Sequence, residues 1–406
     1  MEVLYPQACG LDVHKKSVVA CCIIKGRRYV RTFGTSTSEL LELARWLDEL
    51  GVTAAAMESS GVYWIPVFNV LESIGLDKLM VVNAEHIKKV PGRKTDVTDA
   101  EWIADLLRHG LLKASLIPAR PERELRELLR YRKSLIETRT AEVNRIQKVL
   151  EGGNVKLASV ASDVTGKSAL SMLWAMIHGE SDPETLANLA RGKLRSKHEE
   201  LREALTGVVG DHQRRLLRML LEHIDYLDKQ IEELDREAER RLAAHQDPLE
   251  RLDTIPGVGR RGAEIMMATF GLSLDAFPTS GHLASWAGVC PGQNQSGGKR
   301  KRGRTRKGNH LLKTGVMECA RAASRTKNTY LSTYYSRLAR RIGGKRAAVA
   351  LAHAILTIAY HILKEGTVYN DLGPNYFDER DKERIVRGAV RRLRRLGHEV
   401  VLKPVA

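Results

Sequence analysis

The sequence predicts a mixed α/β domain over residues 1–118, followed by a mostly helical chain to residue 406. Three observations predict it. Three short apolar or β-branched runs follow one another before residue 34. Helices and strands then alternate up to about residue 108. Beyond that point the apolar residues recur at helical spacing.

The first run is Ala8 to Val13, the second Ser17 to Ile24, and the third Tyr29 to Phe33, with a turn expected at Lys25-Gly-Arg-Arg28. Such quick succession suggests an antiparallel meander. Leu40 to Leu50 reads as a helix, Thr53 to Met57 as a strand ending at Glu58, Val62 to Ile74 as a helix and Leu79 to Val82 as a strand. Arg93 to Arg108 reads as the start of a further helix, with Ile103, Leu106 and Leu107 on its apolar face.

Four acids punctuate this domain. Asp12 lies inside an otherwise apolar strand, where a carboxylate is costly unless it has a purpose or a partner. Glu58 falls at the carboxyl end of a later strand, the usual ligand side of such sheets. Asp96 and Asp99 stand three apart on one side of a helical turn, where they repel unless a cation lies between them. Carboxylates suit hard ions such as Mg²⁺. A blander reading exists for each: Asp96 and Asp99 as a helix-start signal, Asp12 as a surface-pointing strand residue, Glu58 as a loop acid. Taken together, a meander with spaced carboxylates is the layout of an RNase-H-like (RuvC-like) fold. There two Mg²⁺ ions, roughly 3.5–4 Å apart, clamp the attacking and leaving oxygens of a phosphodiester.

Composition points the same way. Lys and Arg number 66 against 49 acids, a net charge of +17, which favours a polyanionic partner such as nucleic acid. Cys9, Cys21, Cys22, Cys290 and Cys319 show no zinc spacing and read as reduced thiols of a cytoplasmic protein. No signal pattern opens the chain, and Ala347 to Leu363, interrupted by His353 and His361, reads as a buried helix and not a membrane span.

Residues 119–250 read as a helical region. Arg123 to Leu150 is a long charged helix broken by Gly152-Gly-Asn154. The Gly-Lys-Ser ending at Ser168 lacks the leading glycine and preceding strand of a phosphate-binding loop. Leu217, Leu220, Ile224, Leu227, Ile231, Leu234 and Ala238 form a coiled-coil seam over three heptads. Its partner is either another copy or the 123–150 helix of the same chain.

Residues 251–340 form a further, mostly helical segment. Leu252 to Ala263 resembles a helix-hairpin-helix: Gly257 and Gly259 would admit a phosphate to backbone N–H groups, with Arg260 and Arg261 adding charge. A plain helical corner bent at proline is the alternative. Between Lys299 and Lys307 seven of nine residues are basic: Lys299, Arg300, Lys301, Arg302, Arg304, Arg306 and Lys307. The stretch reads as an adaptable loop, either merely solvated or a phosphate clamp. Ser296 stands at its entrance, a linker residue by composition alone. Within residues 341–406, Glu379 to Leu396 forms a basic amphipathic helix suited to a nucleic-acid backbone or an acidic surface.

Gly10-Leu-Asp-Val-His-Lys15, Glu58-Ser-Ser-Gly-Val-Tyr-Trp64 and Lys94-Thr-Asp-Val-Thr-Asp-Ala100 resemble the three motif blocks of the DEDD transposases of the insertion-sequence-110 family. Cys290-Pro-Gly-Gln-Asn-Gln-Ser-Gly297 resembles that family's serine-bearing transposase block, and the resemblance spans roughly residues 8–340. It implies that Asp12, Glu58, Asp96 and Asp99 bind Mg²⁺ and that Ser296 is the nucleophile, with Ser280 and Ser285 in reserve. It further implies a recombinase acting on double-stranded donor and target DNA, guided by a structured bridge RNA. Copies would associate, as a dimer or tetramer, through the helical region. Two other classes compete: a metal-dependent junction nuclease using water, and a non-catalytic nucleic-acid-binding scaffold.

Overall fold

A computed structural model of the chain describes residues 2–59, 61–84, 87, 99–272, 274–292, 295–300, 303 and 305–403. The chain divides into two compact units, Met1–Ala119 and Arg120–Ala406.

The first unit is built on a five-stranded mixed sheet. β1 (Gln7–Val13), β2 (Ser17–Ile24) and β3 (Arg27–Gly34) form the expected meander. Its second turn is shorter than expected. Lys25 and Gly26 both have positive φ (47° and 83°), the backbone of a two-residue hairpin turn, so β3 starts two residues early. α1 (Thr37–Glu49) begins at Ser36, whose hydroxyl accepts from the Glu39 N–H, while Glu39 accepts from the Gly34 N–H at 3.0 Å. β4 (Ala54–Glu58), α2 (Trp64–Leu71), β5 (Lys78–Val82) and α3 (Asp99–Arg108) follow. The strand order is β3-β2-β1-β4-β5, with β4 parallel to both β1 and β5.

Strand alternation gives the sheet two buried faces. Cys9, Leu11, Val13, Ala55 and Met57 pack with Leu40, Leu43 and Leu47 of α1 and Val67, Phe68 and Leu71 of α2. Ala8, Ala54, Ala56, Met80 and Val82 pack with Trp102, Ile103, Leu106 and Leu107 of α3. Position 10 belongs to this second face, and there the helix comes closest. A Cβ on Gly10 would stand 2.1 Å from the Ala100 carbonyl oxygen and 2.3 Å from the Ala104 nitrogen. Only glycine admits that approach.

The second unit opens with α4 (Arg120–Gly152), which Gly152-Gly153-Asn154 ends, with Asn154 at φ 57°. α5 (Lys167–Ile177) and α6 (His198–Leu205) pack with the far end of α4 and with α7 (Asp211–Arg241). No strand precedes α5, so the Gly-Lys-Ser there is an ordinary helix start. α4 and α7 run antiparallel: Glu124, Arg132, Arg139 and Glu142 meet Arg241, Asp235, Asp228 and His223 in descending order. Leu217, Ile224, Leu227 and Ala238 of the expected seam are buried in this chain, with Leu221 taking the place of the half-buried Leu220. The seam therefore serves an intrachain helix pair. The same helix exposes Leu216, Met219 and Tyr226 on its other side.

α8 (Gln246–Asp253), α9 (Gly259–Met266), α10 (Ser280–Ala287), α11 (His310–Arg325), α12 (Tyr330–Ile342) and α13 (Gly344–Glu365) complete the body of the unit. α13 is long and apolar enough to cross a membrane, yet Leu351, Ala352, Ile355, Leu356 and Ala359 are fully buried and the Tyr360 hydroxyl donates to the Phe277 carbonyl at 2.9 Å. Arg126 ties α4 to a π-helical turn, Met267–Gly271. Its buried guanidinium donates to the Ala268 carbonyl at 2.7 Å and to that of Thr269. Desolvation lowers its pKa to about 10. The basic tail forms α14 (Lys382–Arg395), with no buried residue. All five cysteines are free, and burial pushes the thiols of Cys21 and Cys319 up to about 11 and about 12.

Replacing Gly10 by alanine is expected to push α3 off the sheet and cost about 1–3 kcal/mol, the usual range for overpacking. Urea unfolding of the full chain measures it; an unchanged midpoint would remove the close-approach argument.

Candidate active site

Asp12 sits near the carboxyl end of β1, and Glu58 ends β4. The two strands are parallel, with Leu11 opposite Met57. One further step in that register sets Asp12 abreast of Glu58. Both share the face of Ala8, Gly10, Ala54 and Ala56, which α3 covers. α3 begins at Asp99, one residue before the Ala100 carbonyl that lies over Gly10. The register thus puts Asp12 and Glu58 on one face of the sheet, the face covered by the helix that begins at Asp99. The Asp12 carboxylate also has His14 Nε2 at 3.1 Å. Asp96 lies outside the described residues. Among the described residues, no three His, Cys, Asp or Glu side chains come close enough together to hold a metal ion. The donor chemistry is nonetheless that of a hard-cation site, all carboxylate.

Ser296 and the start of the basic stretch take a definite form. β6 (Gln295–Ser296) pairs with β7 (Lys299–Arg300), Ser296 opposite Lys299. Gly297 and Gly298 have φ of 55° and 73°, so a two-residue turn joins Ser296 to the start of the basic stretch. The hairpin is closed at its base by a Pro291–Thr305 bridge. Gly303 and Gly292 are in such contact there that a Cβ on Gly303 would stand 2.0 Å from the Gly292 carbonyl oxygen. Lys301, Arg302 and Arg304 lie outside the described residues; Lys299, Arg306 and Lys307 are exposed. Asn309 then caps α11, its side chain accepting from the Leu312 N–H at 3.1 Å. Ser280 and Ser285, the reserve serines, lie on α10.

At the helix-hairpin-helix-like corner the glycines do different work from that expected. A Cβ on Gly257 would stand 2.3 Å from the Ala323 nitrogen and 2.7 Å from the Cys319 carbonyl oxygen of α11. That glycine admits a helix, whereas Gly259 (φ 59°) faces open space. Arg260 and Arg261 share the fully buried Glu264, and Arg261 also reaches Asp235 and Glu239. Their charge is largely answered within the chain.

Two family models match the chain in order: a DEDD transposase model over residues 9–154 and the transposase IS116/IS110/IS902 family over residues 249–336. The chain belongs to the IS110 family of transposases. The transposase for insertion element IS1111A of Coxiella burnetii is 25% identical over 89% of this chain and 88% of its own length. That for IS1328 of Yersinia enterocolitica is 31% identical over 38% of this chain and 47% of its own length. The insertion element IS110 protein of Streptomyces coelicolor is 28% identical over 70% and 74% of the two chains. As a transposase, this protein is an enzyme that cuts and rejoins DNA. The first model covers the sheet with Asp12, Glu58 and Asp99, and the second covers the hairpin with Ser296. Sequence reasoning missed the packing roles of Gly10 and Gly257, because each depends on a segment more than sixty residues away.

Gly257→Ala is expected to lower the thermal midpoint of unfolding by several degrees, since it meets backbone. Gly259→Ala should cost only about 1–2 kcal/mol of left-handed strain. Equal midpoints for the two variants would contradict this assignment.

Proposed function

We propose that the transposase cuts DNA through a serine–DNA ester, with an RNase-H-like unit supplying divalent-metal chemistry. The observation that carries the reading is the register that sets Asp12 abreast of Glu58, on the face covered by a helix starting at Asp99. The strand order supports an RNase-H-like fold: an antiparallel meander, then two strands parallel to the first. Asp12, Glu58, Asp96 and Asp99 are the residues to hold Mg²⁺. When bound, the ions offset negative charge building on the phosphate oxygens.

The Ser296 hydroxyl is the proposed nucleophile. Its oxygen bonds to phosphorus, its proton passes to a base, and one deoxyribose oxygen leaves with the broken P–O bond. The phosphoester is conserved in the link to serine, so rejoining needs no external energy source. Reversal with a different DNA end gives strand exchange without net hydrolysis. The family resemblance extends the reading to a structured RNA that chooses donor and target DNA by base pairing. Copies would associate through the helical region, and the exposed Leu216, Met219 and Tyr226 of α7 support that association.

Asp12→Asn keeps the shape and removes the charge, so recombination should fall at least a hundredfold with unfolding unchanged. Normal recombination in this variant would sink the metal reading. A denatured reaction of the wild type should contain protein covalently joined to DNA. The adduct should vanish in Ser296→Ala, and Ser296→Cys should retain part of it, since thiolate is the better nucleophile. A normal adduct in Ser296→Ala would move the role to Ser280 or Ser285. Metal-dependent cleavage without any adduct would assign the attack to water.

A further inference from the structure

The cations of the second unit fall into two populations. Along the α4–α7 pair, Arg132, Arg139, Arg145, Arg240 and Arg241 each rest on a carboxylate. Arg130 and Lys133, on the same helix α4, make no ion pair among the described residues. They line a depression of about 360 Å³ whose other wall is Gly308 to Leu311, at the start of α11. A second depression, of about 640 Å³, adjoins it and is lined by Lys307, His310, Lys313 and Arg321. The two share Gly308 and His310, so they form one groove. Glu318 is the one carboxylate in its lining. The Lys313 ammonium does donate, but to the neutral Thr305 hydroxyl at 3.2 Å and the Arg306 carbonyl at 3.3 Å, so its charge remains.

Like charges gathered in a concavity repel one another and concentrate an anion there. The Lys313 bonds also fix where the groove lies. Thr305 pairs with Pro291 at the base of the hairpin that carries Ser296. Among the described residues no Phe, Tyr or Trp lines the groove and His310 is its one ring, so it lacks the run of stacking platforms by which proteins hold single strands. Clustered cations with a single ring among them suit the phosphate backbone of a duplex.

We propose that this groove seats the backbone of duplex DNA continuing from the phosphate offered to Ser296, with Arg130, Lys133 and Arg321 as phosphate contacts. The proposal rests on the DNA-cutting reading of the hairpin. It makes α4 a part of the DNA-binding surface as well as a structural strut. Because the contacts are to phosphate, the groove holds DNA without regard to sequence.

The test measures binding of the full chain to an arbitrary duplex DNA and to a duplex RNA of equal length across a salt series. The triple variant Arg130→Gln, Lys133→Gln, Arg321→Gln should lower the log–log salt slope for DNA by about 2–3, roughly 0.9 per lost contact. A charge-conserving variant, Arg130→Lys with Lys133→Arg, should leave the slope unchanged and controls for misfolding. An unchanged slope in the triple variant, or an equal fall in both variants, overturns the groove. A fall for RNA but not for DNA also overturns it and assigns the groove to RNA. Lys299→Gln with Arg300→Gln serves as the comparison. If that pair lowers the DNA slope and the triple variant does not, the groove fails while the hairpin reading stands. If wild-type binding to DNA shows no salt dependence, the hairpin reading itself fails.

Discussion

The absence of a side chain at position 10 is the constraint on which the packing of the first unit's sheet depends. Any Cβ there would collide with the backbone of α3 at Ala100 and Ala104. Without one, the helix lies directly on the central strand. That contact leaves Asp12, two residues on, facing the side where α3 begins. The register with β4 adds Glu58 to the same side. One missing methyl group thus lets the helix that begins at Asp99 lie on the face that Asp12 and Glu58 share.

Charge is distributed with comparable economy in the second unit. The long helices α4 and α7 hold together through buried leucines and through ion pairs laid out in antiparallel order. Asp235 takes both Arg132 and Arg261, so it couples the helix pair to the first turn of α9. Glu264, fully buried, takes Arg260 and Arg261 within α9 itself. A buried carboxylate is tolerable only with such partners. The pairing removes positive charge where helices must pack and leaves Lys299, Arg306 and Lys307 exposed beside the hairpin.

Glycine has two distinct uses in this chain, as room for another backbone and as a source of positive φ. Gly10 and Gly257 are spaces for another backbone. Gly297 and Gly298 supply the positive φ of a two-residue turn, which turns Gln-Ser-Gly-Gly-Lys from an apparent linker into a hairpin tip. A two-glycine turn between short paired segments is a recognised hairpin signal. It was legible in the sequence but overshadowed by the density of charge.

The sequence by itself determined the order of strands and helices in the first unit, the places of Asp12 and Glu58, and the family motifs. Those features are written in local periodicity and short spacing, which the backbone obeys directly. The boundaries moved by only a few residues, as at β3, where the turn closed sooner than the basic run suggested. The tertiary structure alone decided which helix the α7 seam packs against, since an apolar stripe specifies a need for burial and not the surface that meets it. It likewise decided that Gly257 admits α11, and that Arg130 and Lys133 join Lys307 and Lys313 in one groove. Those residues stand more than a hundred and seventy positions apart. Their meeting follows from tertiary structure that brings α4 and the start of α11 to opposite walls of one depression, which no local pattern of residues encodes.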